Sequence, residues 1–209
     1  MAFRTYFPRK EVLSSVLSNL QKFEIIIAVT SRSSFIIFMA MVQNIFELFH
    51  NALYLTVNVY GMDRRLNEDC VLILLKCPQI MPKLQEIHLT PISWNRELLP
   101  LLQISQPLKR ISLGSVNATY VKTIRLILEK HSQTLQSFKI NIYIGSEFMS
   151  CRSEFANMPR LPQLKTLDVT YSYSQEYEDS LSSDGVEYVP DSVLFDALCL
   201  SLLFRGIAN

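Results

Sequence analysis

The chain has 209 residues, of which 49% are hydrophobic and 19% charged, with a formal net charge of +1. This composition excludes an intrinsically disordered chain and supplies an ample core. Its five glycines, Gly61, Gly114, Gly145, Gly185 and Gly206, lie too far apart to build a phosphate-cradling loop. Residues 1–165 hold 19 basic and 11 acidic side chains, and residues 166–209 hold one and eight. The basic residues are scattered among acidic ones, so a solvated mixed-charge surface is expected and no nucleic-acid site.

At the amino terminus, Met1 to Glu11 carry too many charges for a secretory signal and have no apolar stretch. Pro8 opens a segment in which Val12, Leu13, Val16, Leu17 and Leu20 form one stripe of an amphipathic helix. Phe23, Ile25, Ile26, Ile27 and Val29 follow, then the turn-like Thr30 to Phe35 (TSRSSF). The run at 23–29 admits two readings: a second short helix, or a strand, which its β-branched residues favour. The unbroken apolar run Phe35 to Val42 is flanked by Arg32 and interrupted by Gln43, Asn44 and Glu47. It falls well short of the roughly 18 clean residues of a membrane span, so a buried helix is expected and no membrane association.

The middle of the chain repeats one phrase. Leu84 to Leu89 (LQEIHL), Leu108 to Leu113 (LKRISL), Leu135 to Ile140 (LQSFKI) and Leu164 to Val169 (LKTLDV) begin 24, 27 and 29 residues apart. A degenerate copy, Tyr54-x-x-Val57-x-Val59, precedes them by 30 residues, and Leu20-x-x-Phe23-x-Ile25 fits as well. Alternate residues of a strand point to one side, so the apolar set lines a core while the residues between them face outward. That period suits a unit of one strand and one helix, whose stacked copies share a continuous core.

Helical stretches are expected between the copies. Leu66 to Cys77 is stopped by Pro78. Asn95 to Ile104 contains Pro100 and is expected to be short or kinked. Ala118 to His131 has Val121, Ile124, Ile127 and Leu128 at helical spacing, Asn117 as N-cap, and Lys130 and His131 as cations at its C-terminus. Gly145 to Met158 is a weaker helix, and Tyr171 to Glu187, rich in Ser, Tyr and acids, is expected as an exposed loop. Pro190 to Phe204 reads as a helix apolar on most sides. Repeat arrays normally end in a polar cap, so the array is expected to be truncated there or to pack on a partner.

No catalytic constellation emerges, and the chain is expected not to be an enzyme. His50, His88 and His131 lie far apart without Cys or carboxylate at ligand spacing, so neither a metal nor any other cofactor is expected. Cys70, Cys77, Cys151 and Cys199 show no C-x-x-C spacing and read as reduced core cysteines of a cytoplasmic or nuclear protein. The outward ladder of Glu86, His88, Arg110, Ser112, Lys139, Asn141 and Asp168 alternates in sign, which suits a protein partner. Trp94, just past a strand, is a core plug or an interface anchor.

The repeated phrase is a leucine-rich-repeat signature. The fold class expected is therefore α/β: a leucine-rich-repeat solenoid with a curved parallel sheet and outer helices, over residues 52–209. The segment 6–45 resembles an F-box, on Phe7-Pro8, Glu11, the Val12 to Leu20 helix, and Val29, Ser31, Arg32 and Phe35 in the turn. It departs from that family at Glu11, one residue late, and at Lys22-Phe23-Glu24 in place of a longer polar joint. The resemblance to F-box/leucine-rich-repeat proteins implies a substrate-recognition subunit of a cullin-RING ubiquitin ligase. It further implies that Pro8, Val12, Leu13, Val16, Leu17, Leu20, Val29 and Phe35 contact a Skp1-like adaptor while the repeats hold a protein substrate. The alternative is a plain leucine-rich-repeat binding module, and the secondary structure of residues 20–28 discriminates: the F-box needs helix, the repeat needs strand.

Overall fold

Each phrase turns the chain into a strand beginning two residues after its lead apolar residue. The structure, a computed structural model, describes residues 21–29, 51–61, 81–90, 98–144 and 157–173. These contain six strands: β1 (Lys22–Val29), β2 (Tyr54–Gly61), β3 (Glu86–Thr90), β4 (Arg110–Asn117), β5 (Ser137–Ile144) and β6 (Thr166–Tyr173). They form one sheet in chain order, every neighbouring pair parallel. The one α-helix among the described residues, α1 (Val121–His131), lies between β4 and β5. The fold is α/β.

The lead leucines sit just before their strands, and Leu84, Leu108 and Leu135 are buried. The next residue of each copy does a repeated backbone task. The carbonyl of Gln85 accepts from the amides of both Lys109 and Arg110, that of Lys109 from Gln136 and Ser137, and that of Gln136 from Lys165 and Thr166. Upstream, the carbonyl of Leu53 accepts from Gln85 and Glu86, and that of Gln21 from Leu53 and Tyr54. Five successive junctions thus share one two-amide acceptor, which satisfies the backbone polar groups that strand entry would otherwise leave unpaired. Short turns precede the leads: Leu84 donates to the Met81 carbonyl and Leu164 to that of Leu161, each across a proline, Pro82 or Pro162.

Inward positions pack in register. Leu55, Ile87, Ile111 and Phe138 form one buried row, and Val57, Leu89, Leu113 and Ile140 a second, all in a single core cluster. Leu164, Leu167 and Val169, their equivalents in β6, are half-buried. Between Leu113 and Ser115 the register slips, so Gly114 is an extra residue in β4. Without it alternation would place residue 115 inward; instead Val116 is buried opposite Ile142.

The Asn117 cap forms as its sequence position indicates. Its carboxamide oxygen accepts from the Thr119 amide at 2.9 Å, starting a 3-10 turn at Ala118–Tyr120 that runs into α1. Asn117→Ala is expected to lower the free energy of unfolding by about 1 kcal/mol, read as a shift of the urea midpoint at unchanged slope. Helix α1 buries Val121, Ile124, Ile127 and Leu128 at the expected spacing. Lys130 donates to the Leu102 carbonyl, tying α1 to the preceding 3-10 turn, Leu99–Gln103.

Several expectations need correction. Of the two readings of residues 20–28, Lys22–Val29 takes the strand, paired along its full length with β2, as its β-branched residues favour; the rest of the segment 6–45 lies outside the described residues. The degenerate copy is led by buried Ala52, not Tyr54, because Tyr54 registers with Glu86 and Leu55 with Ile87. A shift of two residues preserves inward and outward alternation, so the period alone does not choose between these registers. The segment beginning at Tyr171 is not loop from its start: β6 runs to Tyr173 through its pairing with Ile142, Tyr143 and Ile144. In the Asn95 to Ile104 stretch, residues 99–103 form a 3-10 turn, with Pro100 at its first positions. Finally His131 is no surface cation. It is 3% exposed, and burial, with the adjacent Lys130 charge, lowers its pKa to about 4. The helices expected at 12–20, 35–42, 66–77 and 190–204 lie outside the described residues, as does most of the one at 145–158.

Candidate functional site

Inward residues of the parallel sheet are committed to the core, so residues available to a ligand are the alternate ones. In register they make rows across the strands. The first row runs Lys22, Tyr54, Glu86, Arg110, Ser137 and Thr166; the second runs Glu24, Thr56, His88, Ser112, Lys139 and Asp168. A third holds Ile26, Asn58 and Thr90, and Asn141 with Thr170. Six of the seven ladder residues nominated from sequence therefore stand in the first two rows, and Asn141 stands in the third.

The charged members meet across neighbouring strands. Arg110 Nε lies 2.8 Å from Glu86 Oε2, and Lys139 Nζ 2.6 Å from Asp168 Oδ2. The Arg110 guanidinium also lies over the Tyr54 ring, 5.8 Å from its centroid. Asn58 donates from Nδ2 to Glu24 Oε1 at 3.3 Å. These contacts are solvent-exposed, with side-chain exposures of 55% and 31% for Arg110 and Glu86, so each pair contributes little to stability.

Around Tyr54 the face forms an open hollow of about 740 Å³, bounded by Gln21, Lys22 and Glu24 of the first unit, Thr56 and Asn58 on β2, Glu86 and His88 on β3, and Arg110 on β4. The sequence reading nominated Glu86, His88 and Arg110 and missed Lys22, Glu24, Tyr54, Thr56 and Asn58. The signal that finds Lys22 and Glu24 is the copy led by Leu20, and the one that finds Tyr54, Thr56 and Asn58 is the register led by Ala52, under which Tyr54 becomes an outward residue. Ser112 contributes less than its place suggests: its hydroxyl is buried between His88 and Lys139 and has no hydrogen-bond partner among the described residues. Of the residues nominated for adaptor contact, Val29 ends β1, while Pro8, Val12, Leu13, Val16, Leu17, Leu20 and Phe35 lie outside the described residues, as does Trp94.

Among the described residues, no group of three or more His, Cys, Asp or Glu side chains is placed to hold a metal ion. Among them, too, no helix is long and apolar enough to cross a membrane. The chain matches no protein-family model and no curated protein.

Proposed function

We propose that this chain is a leucine-rich-repeat solenoid that serves as a protein-interaction scaffold, binding a partner protein on the outward face of its parallel sheet. The observation carrying this reading is the repeated two-amide acceptor at Gln21, Leu53, Gln85, Lys109 and Gln136. It makes each unit equivalent to the next, irrespective of loop length, as expected of a stacked array. Such an array presents a broad, rigid face whose outward residues are free of packing duties, and that face suits a macromolecule better than a small substrate. A strand at Lys22–Val29, its relay beginning at Gln21, supports the plain repeat scaffold over an adaptor-binding helical module in that segment.

The test is a comparison of proteins retained by the purified chain and by variants of the face. Glu86→Arg combined with Lys139→Glu reverses one charge in each row, and Lys122→Glu alters an exposed position of α1 away from the sheet. A specific partner is expected to lose at least about tenfold in affinity with the face variant, or 1.4 kcal/mol, and to be indifferent to the helix variant. Partners that respond equally to both, or to neither, would refute the proposal.

A further inference from the structure

The charges of the outward face balance, and four of the six pair with one another. Its described strands carry three cations, Lys22, Arg110 and Lys139, and three anions, Glu24, Glu86 and Asp168. Two of each meet in cross-strand pairs at 2.8 and 2.6 Å. Apart from His88 and Ile26, the other residues of the three rows are hydroxyls and amides. A partner carboxylate or phosphate approaching Arg110 finds its Nε already engaged by Glu86 and is repelled by that carboxylate, and a partner cation approaching Asp168 meets the Lys139 ammonium in the same way. Both approaches gain little.

Resting on the reading of the face as a binding surface, we infer that its occupant is an extended, uncharged segment of a partner protein carrying an aromatic side chain. A face whose charges balance and largely pair among themselves favours a neutral partner over a strongly charged one. The aromatic is called for at the hollow, where the Arg110 guanidinium lies over the Tyr54 ring and a further ring can pack against the same cation and ring. Thr56 stands beside it to meet the segment's backbone.

A random twelve-residue peptide library displayed on phage and selected against the folded chain tests this. Enriched peptides are expected to be within one charge of neutrality, to contain Trp, Tyr or Phe, and to change less than about threefold in affinity between 50 and 500 mM NaCl, where screening of charge contacts is nearly complete. Their binding is expected to fall at least about tenfold with Tyr54→Ala and with Thr56→Arg, the second variant leaving the Tyr54 ring in place. Enriched peptides rich in Asp, Glu, Lys or Arg, weakening steeply with salt yet still lost in both variants, would overturn the neutral-partner inference and leave the binding face standing. No enrichment, or peptides insensitive to both variants, would overturn the inference and the binding face together.

Discussion

Phe138→Ala is expected to lower the free energy of unfolding by about 3–5 kcal/mol, the largest effect of any single truncation argued for this chain. Phe138 is 2% exposed at an inward position of β5, in register with Ile111 on one side and Leu167 on the other. Truncation loses the transfer energy of the ring and leaves a cavity that the rigid parallel ladder on both sides resists closing. Urea unfolding followed by circular dichroism measures it. Lys139→Ala, one residue along and facing outward, is expected to change stability by less than about 1 kcal/mol, because its ion pair is exposed. Leu167→Ala, the half-buried equivalent in β6, should fall between the two. A Phe138→Ala loss below that of Lys139→Ala would mean the two faces of the sheet had been assigned the wrong way round.

The alternation within each phrase was enough to say which side of every strand is core, because side-chain direction depends only on parity. Leu84, Ile87 and Leu89, and their counterparts from Leu108 and Leu135, are buried as the phrase requires. Parity does not number the rungs. The copy at β2 was misplaced by two residues because its lead is Ala52, whose single methyl carries almost no pattern signal, while Tyr54 resembles a lead residue and faces outward. The hollow around Tyr54 was lost with that rung. β1 was ambiguous for a related reason: Ile25 to Ile27 is a continuous apolar run, which a buried helix and a strand share. What settles it is a long-range pairing, Lys22 with Tyr54 through Val29 with Gly61, that no local window contains.

The sequence also misread His131, and the correction carries a pH dependence. At the end of a helix a histidine is ordinarily an exposed cation that favours the C-terminal carbonyls. Here the ring turns inward: its Nδ1 accepts from the Leu108 amide at 3.4 Å, and Thr134 Oγ1 donates to the Leu108 carbonyl at 2.9 Å. The lead residue Leu108 is thus held at both its backbone polar groups by the end of α1 and the turn that follows it. This arrangement requires the neutral ring, since a proton on Nδ1 would face another N–H, and Nε2 is buried with no hydrogen-bond partner among the described residues to share the charge.

With the folded pKa at about 4 and the unfolded value near 6.5, the unfolded chain binds the extra proton first. Stability from this group is therefore complete above pH 6.5 and is lost as pH falls from there towards 4. Between pH 7 and pH 5 the loss expected from His131 alone is about 2 kcal/mol. His131→Gln keeps an acceptor for the Leu108 amide and has no titrating group, so urea midpoints of parent and variant should converge as pH falls from 7 to 5. Parallel midpoints across that range would show that His131 does not govern acid stability. Convergence would locate an acid-labile point of the fold at the junction where α1 braces the start of β4.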